Sequence, residues 1–211
     1  MKRWLIRFLY LIMGLIILLF LAGKIIELSI PKGGRFKLQA TATVRVDGVD
    51  YTGSAVQEFS LGWAIRGLDM TGAWGLRTRG EAVRIDIPDE EPIYVLISAN
   101  TVFYNCADRW FQDAIRESLL NLKKCDVRKF PSAVRFDGSG DYSEAIAVHY
   151  AGKDWNGYEF VSMSFTRTIE PVTNGRIPEH LTENPRMIVK VPHGEYTSVI
   201  GNVHFKQEKF F

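Results

Sequence analysis

Tryptophan and arginine, two residue types that often dominate the binding energy of protein interfaces, are concentrated in one segment of the sequence. This segment is residues 61–80, LGWAIRGLDMTGAWGLRTRG, and it also holds five of the 18 glycines. The side chains that could form a binding surface are Trp63, Arg66, Trp74, Arg77 and Arg79. Because no firm hydrophobic period runs through the segment, we expect a long loop, and such loops are commonly functional. The alternative is that both tryptophans pack against a sheet while the arginines stay in solvent.

The two cysteines, Cys106 and Cys125, could form a disulfide bond. An even number of cysteines favours a disulfide in an oxidising compartment. If residues 106–122 form one helix, its ends lie about 25 Å apart, and three further residues cannot bring the sulfurs together. A helix that ends near Ser118 would allow the bond. A disulfide and a pair of buried thiols therefore both remain open, and the pair makes a poor metal site because no histidine is near.

The four histidines do not indicate a metal centre or a catalytic base. No two of them have a spacing typical of metal ligands, and none belongs to a recognisable nucleophile motif. They are His149, His180, His193 and His204. We therefore expect no metal and no cofactor, and we assign no catalytic residue.

Acidic side chains are crowded into one turn, Asp89-Glu90-Glu91. A hydrolase pair requires two carboxylates in unlike environments that face one cleft. Acids in a turn between strands more simply keep that turn in solvent. The enzymatic alternative is a hydrolase or small-ligand-binding protein with a polar cleft between helix and sheet, which could include His149 or Glu144.

The N-terminal residues determine the compartment in which the rest of the chain is expected to function. From Phe8 to Gly23 the sequence has no charged residue and is rich in Leu, Ile and Phe, which transfer favourably into hydrocarbon. The apolar run reaches the length of a membrane span if Arg7 and Lys24 extend their charges to the interfaces. Because the candidate cleavage sites are poor, we expect residues 1–26 to be an uncleaved transmembrane anchor. A cleaved signal sequence is the alternative.

Charge distribution favours an N-terminus in the cytoplasm, with residues 27–35 as a tether and residues 36–211 as a periplasmic domain. Basic residues next to the first membrane helix have the largest influence on its orientation. The anchor region holds four of the 26 basic residues and one of the 24 acidic residues, so the remainder of the chain is close to neutral. This balance argues against nucleic-acid binding, which is usually accompanied by a basic excess.

Alternating apolar residues predict a domain made mainly of strands. Residues 36–46 alternate with a period of two and run into Asp47-Gly48, which suits a tight hairpin turn. A second hairpin is expected over residues 81–98. Further strands are predicted at 133–136, 144–150, 158–169, 187–191 and 196–205.

One soluble helix is expected between the strands, with Asn105 as its N-cap. Apolar residues recur there at spacings of three and four, which is typical of a helix with one buried side. They include Phe111, Ala114, Ile115, Leu119 and Leu122. The predicted fold is therefore mainly β (α+β), a sandwich-like antiparallel sheet structure with one packed helix.

Three short segments resemble a family of uncharacterised proteobacterial envelope-type proteins. They are GSAVQE at residues 53–58, RGEAVRIDIP at 79–88, and VSMSFTRTIEPVT at 161–173. The family shares the patterns GSxVxE, RGEAVxVDLP and EPVT. The resemblance covers most of residues 36–210 and implies a shared envelope-type domain, but it brings no catalytic residues.

From the sequence we expect a membrane-anchored, extracytoplasmic protein that is not an enzyme. Its anchor would lie in the inner (cell) membrane, and its β-rich domain would bind a protein partner in the envelope. The contact surface would be the tryptophan- and arginine-rich residues 61–80.

Overall fold

The structure is a computed structural model. It describes residues 13–14, 16–18, 33–66, 71–107, 112–136, 144–150, 152–175, 177, 186–190, 197–201 and 206–207. Most of the predicted anchor, residues 1–26, lies outside this part of the chain, and residues 13–14 and 16–18 are helical and exposed. Among the described residues, no helix has both the length and the apolar character required to cross a membrane.

Beyond the helical residues 13–14 and 16–18, the described residues form thirteen strands and two helices in chain order. They are β1 (Gly34–Val46), β2 (Val49–Arg66), β3 (Thr71–Glu81), β4 (Val83–Ile85), β5 (Ile93–Val95), α1 (Ala99–Cys106), α2 (Gln112–Leu120), β6 (Lys124–Asp126), β7 (Ala133–Arg135), β8 (Glu144–Tyr150), β9 (Lys153–Asp154), β10 (Tyr158–Arg167), β11 (Arg186–Lys190), β12 (Thr197–Gly201) and β13 (Lys206–Gln207). The prediction of a mainly β protein is confirmed.

The first hairpin forms as the alternating sequence predicts. Along β1, every second residue from Phe36 to Val46 is buried. Asp47 and Gly48 have φ values of 49° and 81°, the left-handed conformation that a tight hairpin turn requires. The return strand β2 then pairs with the whole of β1, from Val46 opposite Val49 to Gly34 opposite Leu61.

The strands form two sheets with different pairing patterns. The first has the order β13-β3-β2-β1-β10-β6, and its described pairs are antiparallel. The second has the order β12-β11-β8-β7-β5-β4, with β9 paired to β8. Its one parallel pair in the described part of the chain joins β8 to β11.

The two sheets share one hydrophobic core. Fully buried side chains of β1 and β10, such as Leu38 and Phe165, belong to the same cluster as Ile85 and Val95 of the second sheet. Small residues bring the sheets close together where β4 crosses β2. Ala42 pairs with Gly53 there, and a Cβ atom on Gly53 would lie 2.2 Å from the carbonyl oxygen of Arg84.

The predicted helix corresponds to α2, and an additional helix, α1, precedes it; the predicted N-cap is wrong because Asn105 lies within α1. Helix α1 begins after Ser98, whose hydroxyl accepts from the Thr101 amide while the Thr101 hydroxyl accepts from the Ser98 amide. This reciprocal capping box fixes the helix start well before Asn105. Ala107 is extended and ends α1. The buried residues Ile115 and Leu119 confirm the predicted apolar side for α2.

The prediction of a loop over residues 61–80 is also wrong. Residues 61–66 belong to β2 and residues 71–80 to β3, which pair from Glu58 opposite Arg79 to Arg66 opposite Thr71. Glycine lowers strand propensity, and five glycines obscured the period. An alternation is nevertheless present in β3, because Trp74 and Thr78 are buried while Arg77 and Arg79 are exposed.

We predict that Gly53→Ala strongly destabilises the domain, because the added methyl group meets backbone of the opposite sheet. The free energy of unfolding should fall by about 3 kcal/mol, the upper end of the usual range for overpacking. Urea denaturation of the purified protein measures it. Gly62→Ala is the matched control, since a Cβ atom there has nothing within 4 Å. Equal stability of the two variants would contradict the close sheet contact.

Candidate functional site

Three of the predicted binding residues, Trp63, Arg66 and Trp74, lie on a two-stranded extension of the first sheet, which we call the β2–β3 arm, and Arg77 and Arg79 follow it on β3. The arm comprises residues 62–66 and 71–75, which pair with each other beyond the point where Gly34 of β1 pairs with Leu61. Within the described part of the chain, these arm residues of β2 are paired on one side only. The arm therefore extends past the strand that supports the rest of β2.

The two tryptophans form the inner face of the arm. Trp63 and Trp74 are directly opposite each other, and their rings meet edge to face with centroids 5.3 Å apart. Trp74 is 5% exposed and belongs to the shared core, against which Trp63 also packs. Both helices pack against β3. The tryptophans thus anchor the arm to the core, as in the packing alternative of the sequence analysis.

The arginines do not join the tryptophans in one site. Arg77 and Arg79 are exposed and alternate with the buried residues of β3, so they lie on its opposite face. Arg79 lies 3.7 Å from the Glu58 carboxylate, a weak, partly solvated ion pair. Arg66 pairs with Thr71 through the backbone, and its side chain lies outside the described part of the structure.

A patch of bare backbone adjoins these arginines. Gly62 and Gly75 are directly paired and exposed. A Cβ atom on Gly62 would have nothing within 4 Å, and one on Gly75 would meet only the Gly62 carbonyl oxygen, at 3.9 Å. At this glycine pair the outer face of the arm is therefore sterically open, and Arg77 borders it.

A second candidate site, which the sequence did not reveal, lies beside the disulfide bond. Cys106 and Cys125 are bonded, with their Cα atoms 5.7 Å apart, so the open question about the thiols is resolved. The bond is possible because α1 ends at Cys106 and the chain returns to β6 after α2. Both cysteines line an open depression of about 400 Å³ between α1 and β6, which we call the disulfide depression.

Asn105 holds one wall of the disulfide depression in place. Its side-chain oxygen accepts hydrogen bonds from the amides of Arg128 and Lys129 at 3.0 and 2.9 Å. Its amide group donates to the carbonyl oxygens of Thr101 and Lys129 at 2.8 and 3.2 Å. Asn105, which was predicted to cap a helix, instead ties α1 to residues 128 and 129. No local sequence signal indicated these partners.

A buried polar cluster, the strand junction, lies where β3 leaves the first sheet. The Gln57 amide donates to the Glu81 carbonyl oxygen at 2.7 Å and the Thr78 hydroxyl donates to the Gln57 side-chain oxygen at 3.4 Å. The Glu81 carboxylate, in a residue that is 1% exposed, accepts from the Gly175 amide at 2.7 Å. These bonds satisfy polar groups that burial would otherwise leave costly.

Thr173 takes the place of β3 beside β2 at this junction. Its hydroxyl accepts a hydrogen bond from the Val56 amide at 2.8 Å, and its own amide donates to the Val56 carbonyl oxygen at 3.0 Å. Residues 53–58, 79–88 and 161–173, the three segments quoted for the predicted family resemblance, therefore meet in space. Within the described residues, they provide the partners of a fold-determining junction between strands.

His149 forms a dyad with Asp154 but does not open to solvent. Its Nδ1 lies 2.6 Å from the Asp154 carboxylate, which also accepts from the Phe160 amide at 3.2 Å. The imidazole is 5% exposed and lies edge-on to Phe130 and Phe160, with ring centroids 5.8 and 5.3 Å away. His149 is not among the residues that line the disulfide depression. The side chain of Glu144 lies outside the described structure.

Glu90 is more than a solvated turn residue. Its carboxylate accepts from the Arg135 guanidinium at 2.5 Å and from the Tyr158 hydroxyl at 3.1 Å. Arg135 also donates to the Tyr158 hydroxyl. Burial raises the pKa of Tyr158 above its ordinary value, and the Arg135 charge partly opposes this rise. The cluster links the β4–β5 turn to β7 and β10.

No family model, curated protein or solved structure matches the chain. Within the described residues, no group of three or more His, Cys, Asp or Glu side chains is placed to hold a metal ion.

We predict that Thr173→Val lowers the free energy of unfolding by about 1–3 kcal/mol, the cost of leaving a buried donor without a partner. The Val56 amide loses its acceptor, while the size of the side chain hardly changes. Thr166→Val, at an exposed position of β10, is expected to change stability by less than about 0.5 kcal/mol. Urea denaturation of both variants tests the junction, and a neutral Thr173→Val would show that it contributes little.

We predict that ionisation of the Tyr158 phenol lowers the free energy of unfolding in alkaline solution. The raised pKa means that the folded state keeps the phenolic proton at a pH where the unfolded chain has lost it. The stabilisation is complete below the ordinary tyrosine pKa of about 10 and is lost as the pH rises through the folded-state pKa. The free energy of unfolding should therefore fall more steeply above about pH 10 in the wild type than in Tyr158→Phe.

Tyr104→Phe, which alters a residue that is 54% exposed, is the control for this measurement. It should keep the pH dependence of the wild type. If Tyr158→Phe and Tyr104→Phe give the same profile, the buried phenol is not its source.

Proposed function

We propose that this chain is a membrane-anchored extracytoplasmic protein that binds an acidic segment of another envelope protein through the outer face of the β2–β3 arm. The observation that carries the proposal is the sterically open glycine pair bordered by an exposed arginine. The proposal keeps the predicted partner and compartment, but it places the contact on one face of a strand pair.

The disulfide bond supports an extracytoplasmic location. Disulfides persist in oxidising compartments and are rare where thiols are kept reduced. The bond between Cys106 and Cys125 agrees with the orientation that the N-terminal sequence favours. The anchor itself, residues 1–26, remains a prediction.

The inner and outer faces of the arm have different roles in this proposal. The tryptophan pair packs this part of the arm against the core before any partner binds. Binding to a preformed surface avoids the conformational entropy that ordering a loop would cost. The tryptophans thus contribute indirectly, and the glycine pair provides the contact surface.

Charge indicates the chemistry of the partner. Arg77 is exposed and has no ion-pair partner among the described residues, whereas Arg79 is shared with Glu58. An arginine fork binds carboxylates through paired hydrogen bonds. The bare backbone at Gly62 and Gly75 lets a partner chain approach closely enough to place a carboxylate beside Arg77.

Site-specific photocrosslinking in cells tests the proposal with the full chain. A photoreactive phenylalanine analogue at Ser60, which lies directly opposite Arg77 on β2 and leaves the glycine pair bare, should give one discrete adduct. Peptide mapping of this adduct should identify a segment that contains Asp or Glu. The same probe at Thr166, which is exposed on β10, should not give it.

Charge reversal provides the decisive comparison. Arg77→Glu should reduce the yield of the adduct by about tenfold, because a carboxylate would then face a carboxylate. Lys153→Glu makes the same charge change at an exposed residue of β9 and should leave the yield unchanged. Both variants should unfold at the wild-type temperature. An adduct that survives Arg77→Glu, or that maps to a segment without acids, would contradict the proposal.

A further inference from the structure

The disulfide depression has a composition that suits an anion. Lys124, Arg128 and Lys129 line it, together with one carboxylate, that of Asp126. Lys124 lies 3.2 Å from Asp126, so these two charges largely compensate each other. Arg128 and Lys129 are exposed and have no ion-pair partner within the described part of the chain. Two adjacent positive charges therefore remain at one wall.

The backbone that carries these two cations is held before any ligand binds. Asn105 uses both ends of its side-chain amide to fix residues 128 and 129 to α1. The disulfide bond joins the end of α1 to β6, which forms the opposite wall. Two independent links thus set the distance between the walls, and a ligand does not have to order them.

The third side of the disulfide depression is aromatic. Tyr104 lines it and is 54% exposed, a high fraction for a large aromatic residue. A tyrosine offers an apolar ring face. The surface therefore combines cationic donors with a ring that can cover the organic part of a ligand.

We propose that the disulfide depression binds a phosphate group. A phosphate dianion matches the two uncompensated charges of Arg128 and Lys129, whereas a single carboxylate would match only one. Arginine and lysine are the side chains that most commonly bind phosphate oxygens. The site uses no residue of the β2–β3 arm, so it is a second function that does not depend on the proposed protein partner.

The phosphate could belong to a soluble molecule or to a lipid headgroup of the membrane in which the chain is expected to be anchored. The chemistry of recognition is the same in both cases. Because the depression is open and its cations remain hydrated, binding should be weak and should decrease with salt.

Titration of inorganic phosphate into the full chain tests this proposal. The protein is placed in nanodiscs of zwitterionic lipid, and binding is followed by the ³¹P linewidth at low ionic strength. We expect saturation with a dissociation constant in the low millimolar range, typical of a few exposed contacts. Replacing about a fifth of the lipid by phosphatidic acid distinguishes the sources, since a headgroup that occupies the site reduces the binding of free phosphate. Unchanged binding in these nanodiscs supports a soluble phosphate.

Two variants make the test specific. Arg128→Gln/Lys129→Gln alters exposed side chains only and should weaken phosphate binding at least about tenfold. Lys123→Gln removes an exposed charge next to the depression but outside its lining, and it should bind as the wild type does. Asn105→Ala keeps every charge but releases the wall, and it should also weaken binding.

The outcomes separate the proposal from general electrostatic attraction. The absence of saturation below about 10 mM phosphate, or equal losses in the double variant and in Lys123→Gln, would overturn the proposal. Because the double variant changes only exposed side chains, it keeps the test valid even if Asn105→Ala fails to fold. Loss of phosphate binding with an intact arm crosslink would confirm that the two sites are independent.

Discussion

The departure of β3 from the first sheet is the constraint on which the rest of the structure depends. At Gly80 the backbone has φ of +137°, a conformation that favours glycine, and a Cβ atom would lie 3.0 Å from the Gln57 side chain. When a strand leaves a sheet, the backbone N–H and C=O groups of the neighbouring strand lose their hydrogen-bond partners. Where these groups are buried, they must find new partners. Gln57 and Thr173 provide them. The chain can then cross to β4 and begin the second sheet.

Strand β3 contributes both to the fold and to a candidate site, because its two ends make different contacts. Its C-terminal end is fixed by the strand junction, and its N-terminal end carries the Trp74 half of the tryptophan pair. Both helices pack against it, so β3 also supports the segment that carries the disulfide depression. A disturbance at Gly80 would therefore reach both candidate sites. Surface variants such as those at Arg77 or Lys129 should act on one site alone.

Sequence patterning predicted β1 well, where buried and less buried residues alternate, and it also located β8. β1 and β8 have the expected bounds to within two residues, and the Asp47-Gly48 turn is as expected. Patterning failed for β3, where the inward positions mix tryptophan, leucine and threonine and the outward positions mix glycine and arginine. It also failed for α1, although Ser98 and Thr101 form a local capping box that could have been recognised. That signal would have placed the start of a helix at Ala99, before Cys106, rather than at Asn105.

The candidate sites were harder to predict because their partners are distant in sequence. Glu81 bonds to Gly175 across 94 residues, and Asn105 bonds to Lys129 across 24. No local period encodes such pairs. Residues 53–58, 79–88 and 161–173 meet at the strand junction, where their polar groups form hydrogen bonds with one another. Because the polar groups of these segments bond to one another, the segments determine the fold. The candidate functional surfaces are therefore those that the segments leave open: the outer face of the arm and the disulfide depression.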